Sequence, residues 1–259
     1  MGALAQGNQR TSGGRNAAGA EHPDRAPAAA RGAGRVRRLW DRRVDAWEHH
    51  GAAGLERVID AVVAASLPAD GKRVVDLGCG NGQLSLPLAR KGAKVLAVDI
   101  STRMIESVQR KASEEGLSIE TEARPAQELE IEPASVDLVV SNYAMHHFYD
   151  DEKRAVLASA VSWLRPGGRI LFGDMMFGRG ATKQDREIIG SKVRVMLRRG
   201  PAGWWRIAKN AARFTFRMRE RPLPMETWLQ MFRDAGLADV QGTRVVAEAA
   251  IVSGSKPHS

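Results

Sequence analysis

Three glycines at alternate positions in Val74-Val75-Asp76-Leu77-Gly78-Cys79-Gly80-Asn81-Gly82 constrain this chain more than any other feature. The stretch joins a short apolar strand, Arg73 to Leu77, to a helix over roughly Gln83 to Lys91. Glycines at such a junction let the backbone turn tightly and approach a ligand where a Cβ would collide. A nicotinamide-binding loop needs its third glycine one position later, which is Gln83 here, so the spacing disfavours NAD. Asp76 at the start of the loop suits a cationic ligand. About twenty residues after the loop, Asp99 ends a second strand, Lys94 to Asp99, where a carboxylate can accept both ribose hydroxyl protons. The bland alternative is that Asp76 braces the loop and Asp99 caps a helix, but the two acids occupy the places a nucleoside cofactor requires.

The rest of the chain alternates in the same way. Val36 to His50 and Ala53 to Leu67 read as helices before the first strand, and Ser101 can cap a helix carrying Met104, Ile105 and Val108 on one face. Further strands are expected at Ser118 to Ala123, Val136 to Asn142 and Arg169 to Asp174, the last after the turn Arg165-Pro166-Gly167-Gly168, with a helix over Asp151 to Leu164. A helix near Met225 to Ala235 precedes a closing pair of strands, Asp239 to Val246 and Glu248 to Ser253. Apolar strands separated by helices imply an α/β, doubly wound, mostly parallel sheet covered on both faces, with ligands at the carboxyl ends of its strands. An insert over about 175–224 is longer than a plain connection needs and reads as a helical cap.

Charge and composition narrow the setting. A chain of 259 residues with 43% hydrophobic content can bury one large core. The stretch up to Arg38 carries seven arginines against Glu21 and Asp24, and Lys183 to Arg221 carries twelve basic residues against Asp185, Glu187 and Glu220. Of the net +9, the remaining body is therefore five charges negative, so the basicity belongs to a tail and an insert. Residues 1–35, rich in Ala, Gly and Arg, are expected to be a disordered tail, with one domain over 36–259. No apolar run approaches the length of a membrane span, and no secretory h-region opens the chain. The single cysteine, Cys79, excludes an internal disulfide and a cysteine-based metal cluster and fits a reducing compartment, for which the cytoplasm is the default. The sequence sets no oligomeric state.

From Val74 to about Asp174 the chain resembles the class I S-adenosylmethionine-dependent methyltransferases, of the small-molecule type that includes the ubiquinone and menaquinone methylases. The resemblance rests on Val-Val-Asp-Leu-Gly-Cys-Gly-Asn-Gly, then Ala-Val-Asp-Ile-Ser, then Val-Asp-Leu-Val-Val-Ser, then Leu-Arg-Pro-Gly-Gly-Arg-Ile-Leu. It implies a Rossmann-like, seven-stranded sheet with an antiparallel last strand, N-terminal helices and a helical insert, and S-adenosyl-L-methionine as cofactor. It also implies that Asp76, Gly78, Gly80 and Gly82 face the methionine and sugar, that Asp99 holds the ribose, and that Ile100 packs on adenine. Ala126 and Gln127 would then lie at the adenine edge and Asn142 near the methyl donor. Many relatives carry an acid where this chain has Pro125, so a side-chain contact to adenine there is replaced, if at all, by a backbone N–H from Gln127.

Methyl transfer needs a positioned nucleophile and, for a hydroxyl, a proton acceptor. His146 and His147 follow the fourth strand, at the edge where the methyl group would lie, and either can serve as that base. The competing reading is that His147 braces its loop. No metal site is expected, since adjacent histidines seldom share one ion and no cysteine pair assists. Tyr143 is a candidate substrate contact, and Trp40 and Trp47, with Val44 on one helical face, are candidate lid residues over the substrate or ordinary packing residues. In the insert, Arg alternates with Trp204, Trp205, Phe214 and Phe216. That pattern suits covering an acidic or apolar substrate, touching an anionic membrane surface, or stacking on nucleic acid, and a solvated helix face also accounts for it.

The reading is methyl transfer to a small-molecule acceptor. An RNA methyltransferase is the nearest rival, supported by the basic insert but not by any nucleophilic cysteine outside the glycine loop or any Asn-Pro-Pro-Tyr after the fourth strand. A non-catalytic cofactor-binding partner protein is a rival of another class.

Overall fold

The computed structural model describes residues 28–44, 53–178 and 220–258, with isolated helical positions at 186–187, 190, 193–194 and 197. Helix α1 (Ala28–Asp41) and helix α2 (Ala53–Ser66) precede strand β1 (Arg73–Leu77), and helix α3 (Ser85–Arg90) and strand β2 (Lys94–Asp99) follow it. Helix α4 (Thr102–Glu114), strands β3 (Ile119–Ala123) and β4 (Val136–Asn142), helix α5 (Asp150–Trp163) and strand β5 (Leu164–Met175) come next. Helix α6 (Met225–Asp234) leads into strands β6 (Ala238–Val246) and β7 (Ala249–Ser255).

The seven strands form one sheet in the order β3-β2-β1-β4-β5-β7-β6. Strands β1 to β5 pair in parallel, and β7 runs against both of its neighbours, β5 and β6. The fold class expected from the alternation is therefore the one observed. Successive residues of a strand point to opposite faces, and here both faces are dry. Val75, Val139 and Phe172 enter a core with Trp163, Trp228 and Phe232 from α5 and α6. Val74, Leu138, Val140 and Leu171 enter a second core with Val58 and Val62 of α2 and Leu84 and Leu88 at α3. Phe172 meets Trp228 and Phe232 edge-on, with ring centroids 5.7 and 5.5 Å apart.

Two elements depart from expectation. Helix α1 begins at Ala28 rather than Val36, so the boundary drawn at residue 35 falls inside a helix. The run Ala28-Ala29-Ala30 has the highest helix propensity available and extends the element backwards. The helix expected to run on to His50 is interrupted: the chain turns at Arg42 and Arg43, with the Arg43 N–H donating to Trp40 O at 2.8 Å, before Val44 is helical again. Residues 1–27 and 45–52, which include most of the expected tail as well as Trp47, His49 and His50, lie outside the described residues, as does most of the insert. Strand β5 starts at Leu164, so the expected turn at Arg165 to Gly168 is part of the strand. The reason is pairing from outside: the Gly167 N–H donates to Lys256 O, and the Lys256 N–H to Gly168 O.

Candidate active site

The glycine loop leaves β1 at the carboxyl edge of the sheet. Gly78, Gly80 and Gly82 have φ values of 71°, 52° and 91°, left-handed conformations that other residues adopt only with strain. Gly78 has a second reason: a Cβ there would stand 2.4 Å from the Ala144 Cβ, on the loop after β4. The Gly78 and Cys79 N–H groups donate to Val98 O at 2.8 and 3.0 Å, and the Gly80 N–H donates to Asp99 Oδ2 at 3.0 Å. The loop is thus fixed against the end of β2.

Two carboxyls flank it. Asp76 is buried, and its Oδ2 accepts from Ser85 Oγ at 2.6 Å while its Oδ1 has no partner. Burial, opposed by the Ser85 hydrogen bond, pushes this carboxyl up to about 7. Asp99 accepts from the Ser101 N–H at 2.8 Å on its other oxygen, and burial raises it to about 6. A third strand end, that of β4, contributes Asn142, whose Oδ1 and Nδ2 are both buried without a partner. Ile100, half-buried, continues from β2, and the short turn Ala126–Glu128 after β3 carries buried Ala126 and half-buried Gln127. Cys79 is a buried thiol held well above its ordinary pKa by burial and by Asp99 and Asp76, so it is no nucleophile.

Helix α1 closes over this edge. Arg37 Nε donates to Ile100 O at 2.9 Å, and Ser101 Oγ donates to Asp41 Oδ1 at 2.6 Å. Ser101 also caps α4 by accepting from the Met104 N–H at 3.2 Å, as the sequence suggested. Beside them on α1, half-buried Trp40 meets the His147 ring edge-on at 4.9 Å.

The second cluster lies at the ends of β4 and β5. His146 is buried in the short turn Met145–His147. Its ring Nδ1 lies 2.6 Å from Asp174 Oδ1, and its backbone N–H donates to Asp174 Oδ2 at 2.8 Å. Asp174, 1% exposed, is the penultimate residue of β5. With the carboxylate as acceptor, the neutral imidazole carries its proton on Nδ1, which leaves Nε2 as the acceptor. His147 lies against His146 with its ring tilted by 49°, ring centroids 3.9 Å apart. Tyr143 sits at φ 51° with its N–H donating to Gly173 O at 2.9 Å. Burial, with Asp174 and Glu248 nearby, raises its phenol, so it stays a neutral hydroxyl at any working pH. Strain of that kind at a non-glycine residue is found where surrounding structure imposes it.

The geometry brings Asp76, Gly78, Gly80, Gly82, Asp99, Asn142, His146 and His147 to one edge of the sheet, with Trp40 above them. Sequence reasoning missed Asp174, Arg37 and Asp41. Asp174 had a signal, since it ends its expected strand as Asp99 does. The helix residues had none, because their partners are about sixty positions away.

Comparison with known proteins agrees with this geometry. Residues 74–168 match the family model described as a methyltransferase domain. The chain is 30% identical over 190 residues to a ubiquinone biosynthesis O-methyltransferase of Cupriavidus pinatubonensis, covering 69% of this chain and 75% of that protein. The chain belongs to the class I S-adenosylmethionine-dependent methyltransferases. A shorter match of the methyltransferase, 38% identical over 104 residues, is to the protein of the same name from Methylocella silvestris, and it covers 40% of each chain. Its fold is similar to that of the Burkholderia thailandensis 1,6-didemethyltoxoflavin-N1-methyltransferase, with a TM-score of 0.63, 20% identity and coverage of 92% and 93% of the two chains. It is similar also to the magnesium protoporphyrin IX methyltransferase of Synechocystis with bound S-adenosylmethionine, at a TM-score of 0.61 and 20% identity over 89% of this chain and all of that one.

S-adenosylmethionine is the cofactor of this methyltransferase, and the site fits it. The buried Asp76 Oδ1 and the Asn142 amide are polar atoms without partners in the protein, an arrangement that costs free energy unless a ligand supplies the partner. The carboxyls at about 7 and about 6 both gain from a neighbouring cation, which the ammonium and sulfonium of this cofactor provide. No group of residues suited to a metal ion occurs among the described residues.

Proposed function

We propose that this methyltransferase methylates a hydroxyl group of a small molecule, with His146 as the base that takes the hydroxyl proton. The observation that carries the reading is the buried Asp174–His146 pair at the ends of β5 and β4, beside the glycine loop. When bound, S-adenosylmethionine supplies a methyl group on a positively charged sulfur, which keeps the bonding electron pair as the acceptor oxygen takes the carbon. His146 Nε2 receives the acceptor's proton, and Asp174 stabilises the imidazolium that results. Asp174 also holds His146 by two contacts, one to the ring and one to the backbone N–H, so the base is in place before the acceptor arrives.

The remaining residues divide by strand. Asp76 and the loop glycines Gly78, Gly80 and Gly82 receive the methionine and sugar. Asp99 receives the ribose hydroxyls on the lone pairs left after Gly80 and Ser101, while Ile100, Ala126 and Gln127 frame the adenine and Asn142 stands at the methyl donor. His147, packed between Trp40 and His146, braces the loop, and Trp40 and Tyr143 border the acceptor. The relatives named as O-methyltransferases support a hydroxyl acceptor. Domain division follows the same reading: one methyltransferase domain from α1 onwards, carrying the insert at about 175–224, with a tail before it. We place the protein in the cytoplasm on the strength of its single, unpaired cysteine.

A screen of metabolite extracts for cofactor-dependent gain of one methyl group tests the reading. Wild-type protein should modify a hydroxyl compound, and His146→Gln should not. Equal turnover by that variant would remove His146 as the base, and methylation confined to amines would remove the hydroxyl assignment.

A further inference from the structure

Lys153 lies in the second turn of α5 with no exposed side-chain surface. Burying an ammonium opposes folding unless its protons are well used, and a neutral side chain of similar volume is often no worse for stability. Its protons go to two places: Nζ donates to Asp150 Oδ1 at 3.0 Å and to the carbonyl of Arg221 at 2.6 Å. Arg221 enters just after the insert and reaches the histidine loop twice. Its backbone N–H donates to His146 O at 2.6 Å, and its guanidinium donates to His147 O at 3.3 Å while lying 3.7 Å over the Tyr149 ring. His146 is therefore gripped from opposite sides, by Asp174 on its N–H and ring and by Arg221 on its carbonyl. Lys153 anchors the second grip.

The charge matters as well as the hydrogen bonds. Lys153 is close enough to Asp174 for the two to stabilise each other, and Asp174 is the carboxylate that faces the His146 ring. Burial lowers the Lys153 ammonium, with Arg221 acting in the same direction, while Asp150 and Asp174 hold it up. Facing His146 are Asp174 from β5 and Tyr143 and His147 from its own loop; behind these stand Lys153 and Asp150 of α5, Arg221, and Glu248 near Tyr143.

We propose that Lys153 is a positioning residue for His146: its buried ammonium fixes the Arg221 peptide that holds the His146 carbonyl, and its charge stands behind Asp174, the carboxylate that faces the imidazole. The inference rests on the reading of His146 as the base, but its test needs no acceptor.

Full-length protein labelled with nitrogen-15 is titrated by NMR, with His146→Gln identifying the His146 ring signals. Removing a nearby cation makes protonation of His146 easier, so Lys153→Met should raise its midpoint by about one pH unit. Lys153→Gln, which lacks the charge but keeps a donor, should raise it similarly and still protect the Arg221 amide from hydrogen exchange. Lys153→Met should lose that protection. Asp150→Asn, which retains Lys153 and removes the carboxylate that offsets it, should move the midpoint the other way and remains informative if the Lys153 variants fail to fold. An unchanged His146 midpoint in Lys153→Met, or an upward shift in Asp150→Asn, would overturn the proposal. Calorimetry with S-adenosylhomocysteine on the same samples separates this from the functional reading: absence of binding by wild-type protein condemns that reading and leaves the His146 titration to decide this one.

Discussion

The two halves of the proposed site are built in different ways. The cofactor half is a continuous piece of chain: Asp76 to Ser85 makes the loop, and the return through β2 to Ser101 closes it with backbone hydrogen bonds to Asp99. The acceptor half has no such continuity. His146, Lys153, Asp174 and Arg221 come from a loop, a helix, a strand end and a segment beyond the insert, and they meet through one or two hydrogen bonds per pair. A ligand common to a whole family can be held by geometry that one loop encodes. An acceptor particular to one enzyme is held by side chains that the fold assembles, and these vary without disturbing the loop.

Substitutions should expose that division, and the largest effect belongs to the acceptor half. Asp174→Asn should lower kcat by about 10²- to 10⁴-fold, because it removes the acceptor that fixes the His146 tautomer, while leaving cofactor affinity nearly unchanged. Turnover assays paired with calorimetry check both numbers. A parallel loss of cofactor binding would show that the halves are one unit.

The cofactor half should respond in the opposite pattern. Asp99→Ala should weaken S-adenosylmethionine binding by about 10- to 100-fold, the worth of charge-assisted hydrogen bonds to the ribose and to the loop N–H of Gly80. The wild-type protein should also bind the cofactor about a hundredfold more weakly at pH 5.5 than at pH 7.5, since Asp76 at about 7 and Asp99 at about 6 must both ionise to receive it. The sign for folding is the reverse of the usual carboxylate case. Both folded-state values lie above the unfolded one, so their contribution to the stability of the cofactor-free protein is full below about pH 4 and is lost as pH rises through about 6 and then about 7. Denaturant titrations with and without cofactor across this range would separate the two effects, and a pH-independent affinity would contradict the carboxyl assignments.

The smallest change is expected at the cover. Arg37→Ala should cost a few-fold in cofactor affinity, roughly one hydrogen bond to a backbone carbonyl, and Asp41→Ala about the same. Faster cofactor dissociation measured by stopped flow would place α1 in retention. No change in either rate would make α1 a packing element only.

How much of this was legible in the sequence follows the same line. Strands β1, β2 and β4 were read to their end residues because each apolar run gives way to a glycine or a polar residue, Gly78 after β1, Asp99 in β2 and Asn142 in β4. Asp76, Asp99 and the glycines needed only local spacing. Helix α1 was misjudged at both ends: alanines extend its start, and its end is set where Asp41 is engaged by Ser101 of a distant turn. The start of β5 was hidden because Gly167 and Gly168 look like a turn until the end of the chain pairs with them.

Taken alone, the sequence determined the sheet, its covering helices and the cofactor loop, since hydrophobic period and glycine placement are properties of short stretches and act before any long-range contact forms. Only the tertiary structure decided which histidine is backed by a carboxylate, that a buried lysine stands behind that pair, and that the first helix reaches the cofactor edge. Those contacts join residues 28 to 75 positions apart, and no local pattern specifies which side chains will meet once the sheet has brought its strand ends together.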